Sequence, residues 1–252
     1  MRLFVSLSYN GASFSGWQSQ LNAPSVQDEV ERTLSIAFAQ PVSVVGAGRT
    51  DAGVNARNYI AHFDIEDGTV LDAQATLRKC NAILHKSICF HAFYKVAADA
   101  HARFDAVRRT YRYHLHTAKD PFAVNSLYFK FPAPDVEKMN RAAEYLLGEH
   151  DFSSFEKVGS DNTSSICTVY EAFWEKIDGS HLVFTVSANR FLRNMVRAIV
   201  GTLLETGGSR HDEKWVLEVL EARDRGKAGQ SVPGEALFLE EVAYPYELTE
   251  LK

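Results

Sequence analysis

The chain has 252 residues, 46% of them hydrophobic and 23% charged, a balance typical of soluble globular proteins and enough mass for one large domain or two modest ones. No run approaches 18 apolar residues, which excludes a membrane-spanning helix, and Cys80, Cys89 and Cys167 form no C-x-x-C, which argues against a disulfide framework or a zinc site. The formal net charge of −5 counts mildly against a polyanionic partner, but the excess lies in the tail: from Asp212 onward ten acids face five bases, and Met1–His211 is neutral.

Arg2–Tyr9 alternates, with Leu3, Val5, Leu7 and Tyr9 on one face, and reads as a strand. It has neither the apolar region nor the cleavage site of a signal peptide, so a cytosolic protein is expected. Ser25 followed by Asp28 is a capping pattern, and Val26, Val30, Leu34 and Phe38 supply the stripe of the helix it opens. Val42–Val45 and Tyr59–Phe63 read as strands flanking a glycine-rich loop. A helix from about Asp72 to Leu84 and a strand at Ile88–Val96 complete a β-α-β-β-α-β order.

A similar order follows. Thr110–His116 alternates, with Tyr111, Tyr113 and Leu115 opposite Arg112, His114 and His116. Asp135 caps a helix expected to stop at Gly148, and strands are expected near Ser165–Ile177 and His181–Ser187 around an Asp178-Gly179 turn. Helices at Phe191–Glu205 and Asp212–Ala222 and a strand at Leu237–Ala243 end the chain. The fold class expected is α+β: two tandem ferredoxin-like units with antiparallel sheets and a cleft between them, covering residues 1–100 and 101–252. Sheet faces not covered by helices are surfaces on which RRM-type domains bind RNA.

The loop Gly46–Ala56, G-A-G-R-T-D-A-G-V-N-A, gathers three glycines, Arg49 and Asp51. Glycines there permit positive φ and close approach of a ligand. Asp51 reads either as a turn former bonded to nearby amides or as a carboxylate presented for chemistry. The loop lacks both G-x-G-x-x-G and G-K-[ST], so it does not define a nucleotide fold.

Basic residues cluster twice: Arg103, Arg108, Arg109, Arg112 and Lys119 against Asp105 in His101–Lys119, and four arginines against Glu205 in Arg190–Arg210. Tyr111 lies in the first cluster, where aromatics between arginines suit base stacking with phosphate contact, although a lone strand tyrosine is more often core or rim. Arg193 and Arg197, four apart, are expected on one face of a largely buried helix, where an arginine needs an anionic partner such as Asp51. His114-x-His116 has the spacing of a metal pair on a strand but no third ligand nearby.

Together, Y-N-G-A-S-F-S-G-W-Q at 9–18, G-R-T-D-A-G-V at 48–54, A-R-F-D-A at 102–106, R-x-Y-x-Y at 109–113, H-D-F-S-S-F at 150–155, F-L-R-N-M-V-R at 191–197 and V-P-G-E-A-L-F-L at 232–239 resemble the tRNA pseudouridine synthase A family. The resemblance implies isomerisation of uridines 38, 39 and 40 of the tRNA anticodon stem-loop, a homodimer and no cofactor. It also implies Asp51 as the catalytic carboxylate, Tyr111 stacking on the target base and helping proton movement, Arg197 pairing with Asp51, and Arg49 holding the space left by a flipped nucleotide. The chain departs from the family pattern at Asn55, where His is usual, at His85, where Pro often stands, at Ala236 for Gly, and at Cys167 in a segment that usually carries Arg.

Overall fold

The computed structural model describes residues 1–69, 71–130, 132–160 and 162–252. The chain packs as two compact units: Met1–Val107 with Leu239–Lys252, and Arg108–Phe238.

In the first unit, β1 (Arg2–Tyr9) is the central strand, antiparallel to both β3 (Asn55–Asp64) and β4 (Ile88–Lys95). The short β2 (Val44–Gly46) pairs with β3, and α1 (Val26–Phe38) and α2 (Ala73–Ile83) form the two crossovers. Ser25 caps α1 by accepting from the Asp28 amide, and Asp72 caps α2 by accepting from Ala75. Each satisfies an amide that the first helical turn leaves without an internal partner. Val26, Val30 and Leu34 of α1 are fully buried, as the helical spacing predicts, and Phe38 meets Phe63 with ring centroids 5.6 Å apart.

The C-terminal segment joins this unit, where the sequence expectation kept it with the second half. β10 (Leu237–Ala243) pairs with β3 and β11 (Thr249–Glu250) with β4. The Val107 amide donates to Ala243, and the Tyr244 hydroxyl donates to the Ala102 carbonyl at 2.6 Å. Sheet edges and buried amides need hydrogen-bond partners, and here those partners lie far away in sequence. This return also covers the second face of the sheet: Phe4 is fully buried beneath Tyr244, its ring centroid 5.4 Å away.

The second unit holds an antiparallel run of β5 (Arg108–His116), β9 (His181–Ala188), β8 (Ile166–Lys176) and β7 (Gly148–Asp151), with a two-residue β6 (Leu127–Tyr128) parallel to β5. Asp178 closes the β8–β9 hairpin by accepting from the Ser180 and His181 amides. Helix α3 (Val136–Ala143) stops five residues before Gly148 and passes through one 3-10 turn; Gly148 is left-handed at φ 93° but begins a strand instead of ending a helix.

Helix α4 (Met195–Gly207) starts later than its apolar pattern predicts, because Asn194 sits at φ 68° and breaks the helical run. Eleven of its 13 residues are buried, so its core-facing surface wraps nearly all round. The helix α5 (Trp215–Ala222) follows. The segment after it crosses α4 at Gly201, where any Cβ would run into the Gln230 carbonyl. Gly229 donates to Thr202 Oγ1 at 2.9 Å beside that crossing.

Candidate active site

The glycine-rich loop is built against the segment that carries Y-N-G-A-S-F-S-G-W-Q. The Tyr9 hydroxyl and Thr50 Oγ1 share a buried hydrogen bond of 2.9 Å. Trp17 donates its amide to the Thr50 carbonyl at 3.2 Å, and Gly53 donates to Phe14 at 3.4 Å. Asn55 Oδ1 accepts from the Gly11 amide at 2.9 Å, with Asn55 only 1% exposed.

Three glycines of this region occupy positions that a side chain would strain or fill. Gly16 stands at φ 104° with its α-carbon against the Thr50–Asp51 backbone, and Gly53 is left-handed at φ 77°. Gly46 lies under an aromatic cluster in which Trp17 stacks on Tyr59 at 4.1 Å and Tyr9 meets Tyr59 edge-on at 5.6 Å. The Tyr59 hydroxyl donates to the Gly48 carbonyl. The backbone on both sides of Asp51 is therefore held by non-local bonds, with Thr50 buried and Asp51 half-buried. The Val54 amide donates to the Asp51 carbonyl at 3.2 Å, closing the turn that carries the carboxylate. Arg49 is exposed and shares with Arg103, Trp17, Gln18 and Gln27 the wall of a recess of about 240 Å³.

The remaining candidates belong to the second unit. Tyr111 is half-buried on β5, paired with Val186 and edge-on to Phe191 at 5.0 Å. Its neighbour Tyr113 is fully buried and donates to the Pro233 carbonyl at 3.1 Å. Burial raises the Tyr113 pKa, and the positive charge of Arg197 opposes that rise. Arg197 itself donates from Nε to the Val232 carbonyl at 2.7 Å, which ties α4 to the V-P-G-E segment. Arg193 precedes α4 and is exposed, so the two arginines do not share a helical face as the spacing predicted.

The basic clusters resolve into different roles. Arg108 is ion-paired with Glu171, and Arg109 donates to the Asn189 carbonyl at 2.8 Å, so both brace the sheet of their own unit. Arg112, Arg193 and Arg210 are exposed. His114 meets Phe238 edge-on and His116 Nδ1 bonds Ser126 Oγ at 3.0 Å, and no metal-binding group of His, Cys, Asp or Glu occurs among the described residues. Cys80 and Cys167 are buried, which pushes each thiol up to about 11 and leaves both packed as small apolar residues. His85 donates its amide to Glu29 Oε1 at 2.8 Å, a bond that proline could not make. Sequence reasoning missed the Tyr9–Trp17–Tyr59 cluster; its signal was Tyr9 and Trp17, two of the three aromatics in Y-N-G-A-S-F-S-G-W-Q.

No helix among the described residues is long and apolar enough to cross a membrane. A family described as tRNA pseudouridine synthase matches residues 142–245. The tRNA pseudouridine synthase A of Parabacteroides distasonis is 49% identical over 98% of this chain and 97% of its own length. That of Bacteroides thetaiotaomicron is 47% identical over 98% and 92%, and that of Aliivibrio salmonicida 36% identical over 98% and 94%. Among solved structures, an archaeal box H/ACA sRNP Nop10–Cbf5 complex aligns with 81% of this chain and 43% of its own at 12% identity; the TM-score of 0.35 is too low to argue from. At such identity over nearly the full length, the chain belongs to the tRNA pseudouridine synthase A family.

Proposed function

We propose that this chain isomerises uridine to pseudouridine in tRNA, at positions 38, 39 and 40 of the anticodon stem-loop, with Asp51 as the catalytic carboxylate. The observation that carries the reading is the construction of the Asp51 loop: an acid displayed from a backbone that Tyr9, Gly11, Trp17 and Asn55 hold by non-local bonds. A loop whose only task was to turn would not need such anchorage, whereas a nucleophile must be held to within a fraction of an ångström. The full-length relatives carrying the pseudouridine synthase A name support the substrate.

The reaction breaks the N1–C1′ bond, turns the freed uracil and joins C5 to C1′; the C5 proton is lost and N1 gains one. The target must first leave the base stack, at a cost of a few kcal/mol that is lower beside a loop than in mid-helix. Asp51 then acts at the sugar, by adding to C1′ or by taking a proton to form a glycal. In this reading Tyr111 stacks on the uracil and assists proton movement, Arg197 is the partner of the Asp51 carboxylate, and Arg49 holds the space left by the flipped nucleotide. Retaining the uracil against water separates isomerisation from hydrolysis. No cofactor is needed for these steps. The reading extends to two ferredoxin-like units, supported in the first by the order β4-β1-β3-β2, and to a cytosolic homodimer.

Tritium release from tRNA labelled at uridine C5 tests the proposal. The wild type should release tritium and Asp51→Ala should release none while still binding tRNA. Equal release by both would remove Asp51 from the mechanism. Binding without release by the wild type would indicate a silent RNA binder, and free uracil as product a glycosidase.

A further inference from the structure

We propose that Phe104 and Arg103 form a second nucleotide subsite on the first unit, Phe104 stacking on an unpaired base and Arg103 taking the adjoining phosphate. This rests on the reading of the substrate as RNA and adds a contact beyond the target uridine.

Phe104 is 75% exposed, and hydrogen bonds from both sides hold the turn that carries it. His101 Nδ1 accepts from the amides of Arg103 and Phe104 at 3.1 and 3.2 Å. Asp105 Oδ2 accepts from the His101 amide at 2.8 Å and from the Tyr246 hydroxyl at 2.7 Å. Ala102 donates to His62 Nδ1 at 3.1 Å and accepts from Tyr244. Phe104 is thus presented to solvent from a turn that is closed by hydrogen bonds.

The chemistry around the ring selects its occupant. One side of Phe104 is covered by the His101 imidazole, with ring centroids 4.2 Å apart and planes 32° apart. His101 is backed in turn by His62 at 4.6 Å. The Arg103 guanidinium carbon lies 5.7 Å from the Phe104 ring centre, and Arg103 also lines the recess of about 240 Å³ that Arg49 borders. That recess is walled by Trp17, Gln18, Gln27, Gly48 and the two arginines among others, and its lining includes no carboxylate. The one acid of the turn, Asp105, is bonded to the His101 amide and the Tyr246 hydroxyl, and those bonds hold its pKa down. A rigid aromatic beside a cationic, acid-free recess fits a base with its phosphate and repels an acidic peptide. A second copy of the chain is the competing occupant of an exposed phenylalanine.

The experiment compares wild type, Phe104→Ala, Phe104→Trp and Arg103→Ala for affinity toward a tRNA transcript as a function of salt, with kcat, KM and oligomeric state measured alongside. Loss of one base–aromatic stack should weaken binding by Phe104→Ala about 5- to 150-fold. The loss should appear in KM with kcat unchanged, and Phe104→Trp should restore affinity. Arg103→Ala should lower the slope of log affinity against log salt by about 1, as expected for one lost phosphate contact. Affinity of Phe104→Ala within twofold of wild type overturns the subsite, as does a changed oligomeric state in Phe104→Ala that accounts for its weaker binding. A wild type that binds no tRNA overturns the underlying RNA reading as well, so the two failures are distinguished.

Discussion

Mild acid should destabilise the first unit through a single histidine. His62 lies on β3, 5% exposed, between Phe4 and His101, and its Nδ1 accepts the Ala102 amide. Burial first, then the electrostatic influence of His101 and of the Arg2 guanidinium, lower its pKa from 6.5 to about 4, against the opposing pull of Asp64 and Asp105. The unfolded chain therefore binds a proton below pH 6.5 that the folded chain refuses until about pH 4. The stabilisation is complete above the unfolded pKa, is lost as pH falls through this window, and levels off below it. The full loss is about 3 kcal/mol, of which about 2 kcal/mol has gone by pH 5. Asp64, held low by Arg2, and Asp105, held low by the His101 amide, contribute their own acid sensitivity only at lower pH. Urea denaturation at pH 7 and pH 5 would compare wild type with His62→Asn, whose Oδ1 can accept from Ala102 without titrating. The wild type should lose about 2 kcal/mol more than the variant across this interval. Equal losses would refute the argument.

Gly46→Ala should cost about 1–3 kcal/mol through overpacking and abolish tritium release, because the new methyl would fall on the Tyr59 hydroxyl and within 2.6 Å of the Trp17 indole. An unchanged melting temperature would show that the Trp17–Tyr59 stack yields easily and does not hold the loop. Asn55→Ala leaves the buried Gly11 amide without its acceptor and should lower stability by about 1–3 kcal/mol, read by thermal melting. Wild-type stability in that variant would mean that Gly11 finds another acceptor.

Legibility followed the range of the forces involved. Helix α1 could be read because its cap, Ser25 with Asp28, and its stripe of Val26, Val30 and Leu34 all lie within a few turns of chain. The start of α4 could not, since Phe191 and Leu192 continue the apolar pattern while Asn194 takes a left-handed conformation that breaks the helix. β3 begins at Asn55, four residues before the alternating pattern suggests, because the Asn55 side chain and its neighbours find partners across the sheet in Tyr9 and Gly11.

The same division holds for the site. The order of motifs along the chain, from Y-N-G-A-S-F-S-G-W-Q through G-R-T-D-A-G-V to V-P-G-E-A-L-F-L, is a property of sequence alone and was enough to indicate the family and single out Asp51. What Tyr9, Trp17, Tyr59 and Asn55 do for that loop was decided only by tertiary structure, because strand pairing brings together residues some forty positions apart. So was the path of residues 239–252 back to the first unit, where open strand edges and the buried Phe4 face required covering. Local pattern specifies which face of an element is apolar; it carries no information on which distant segment will lie against it.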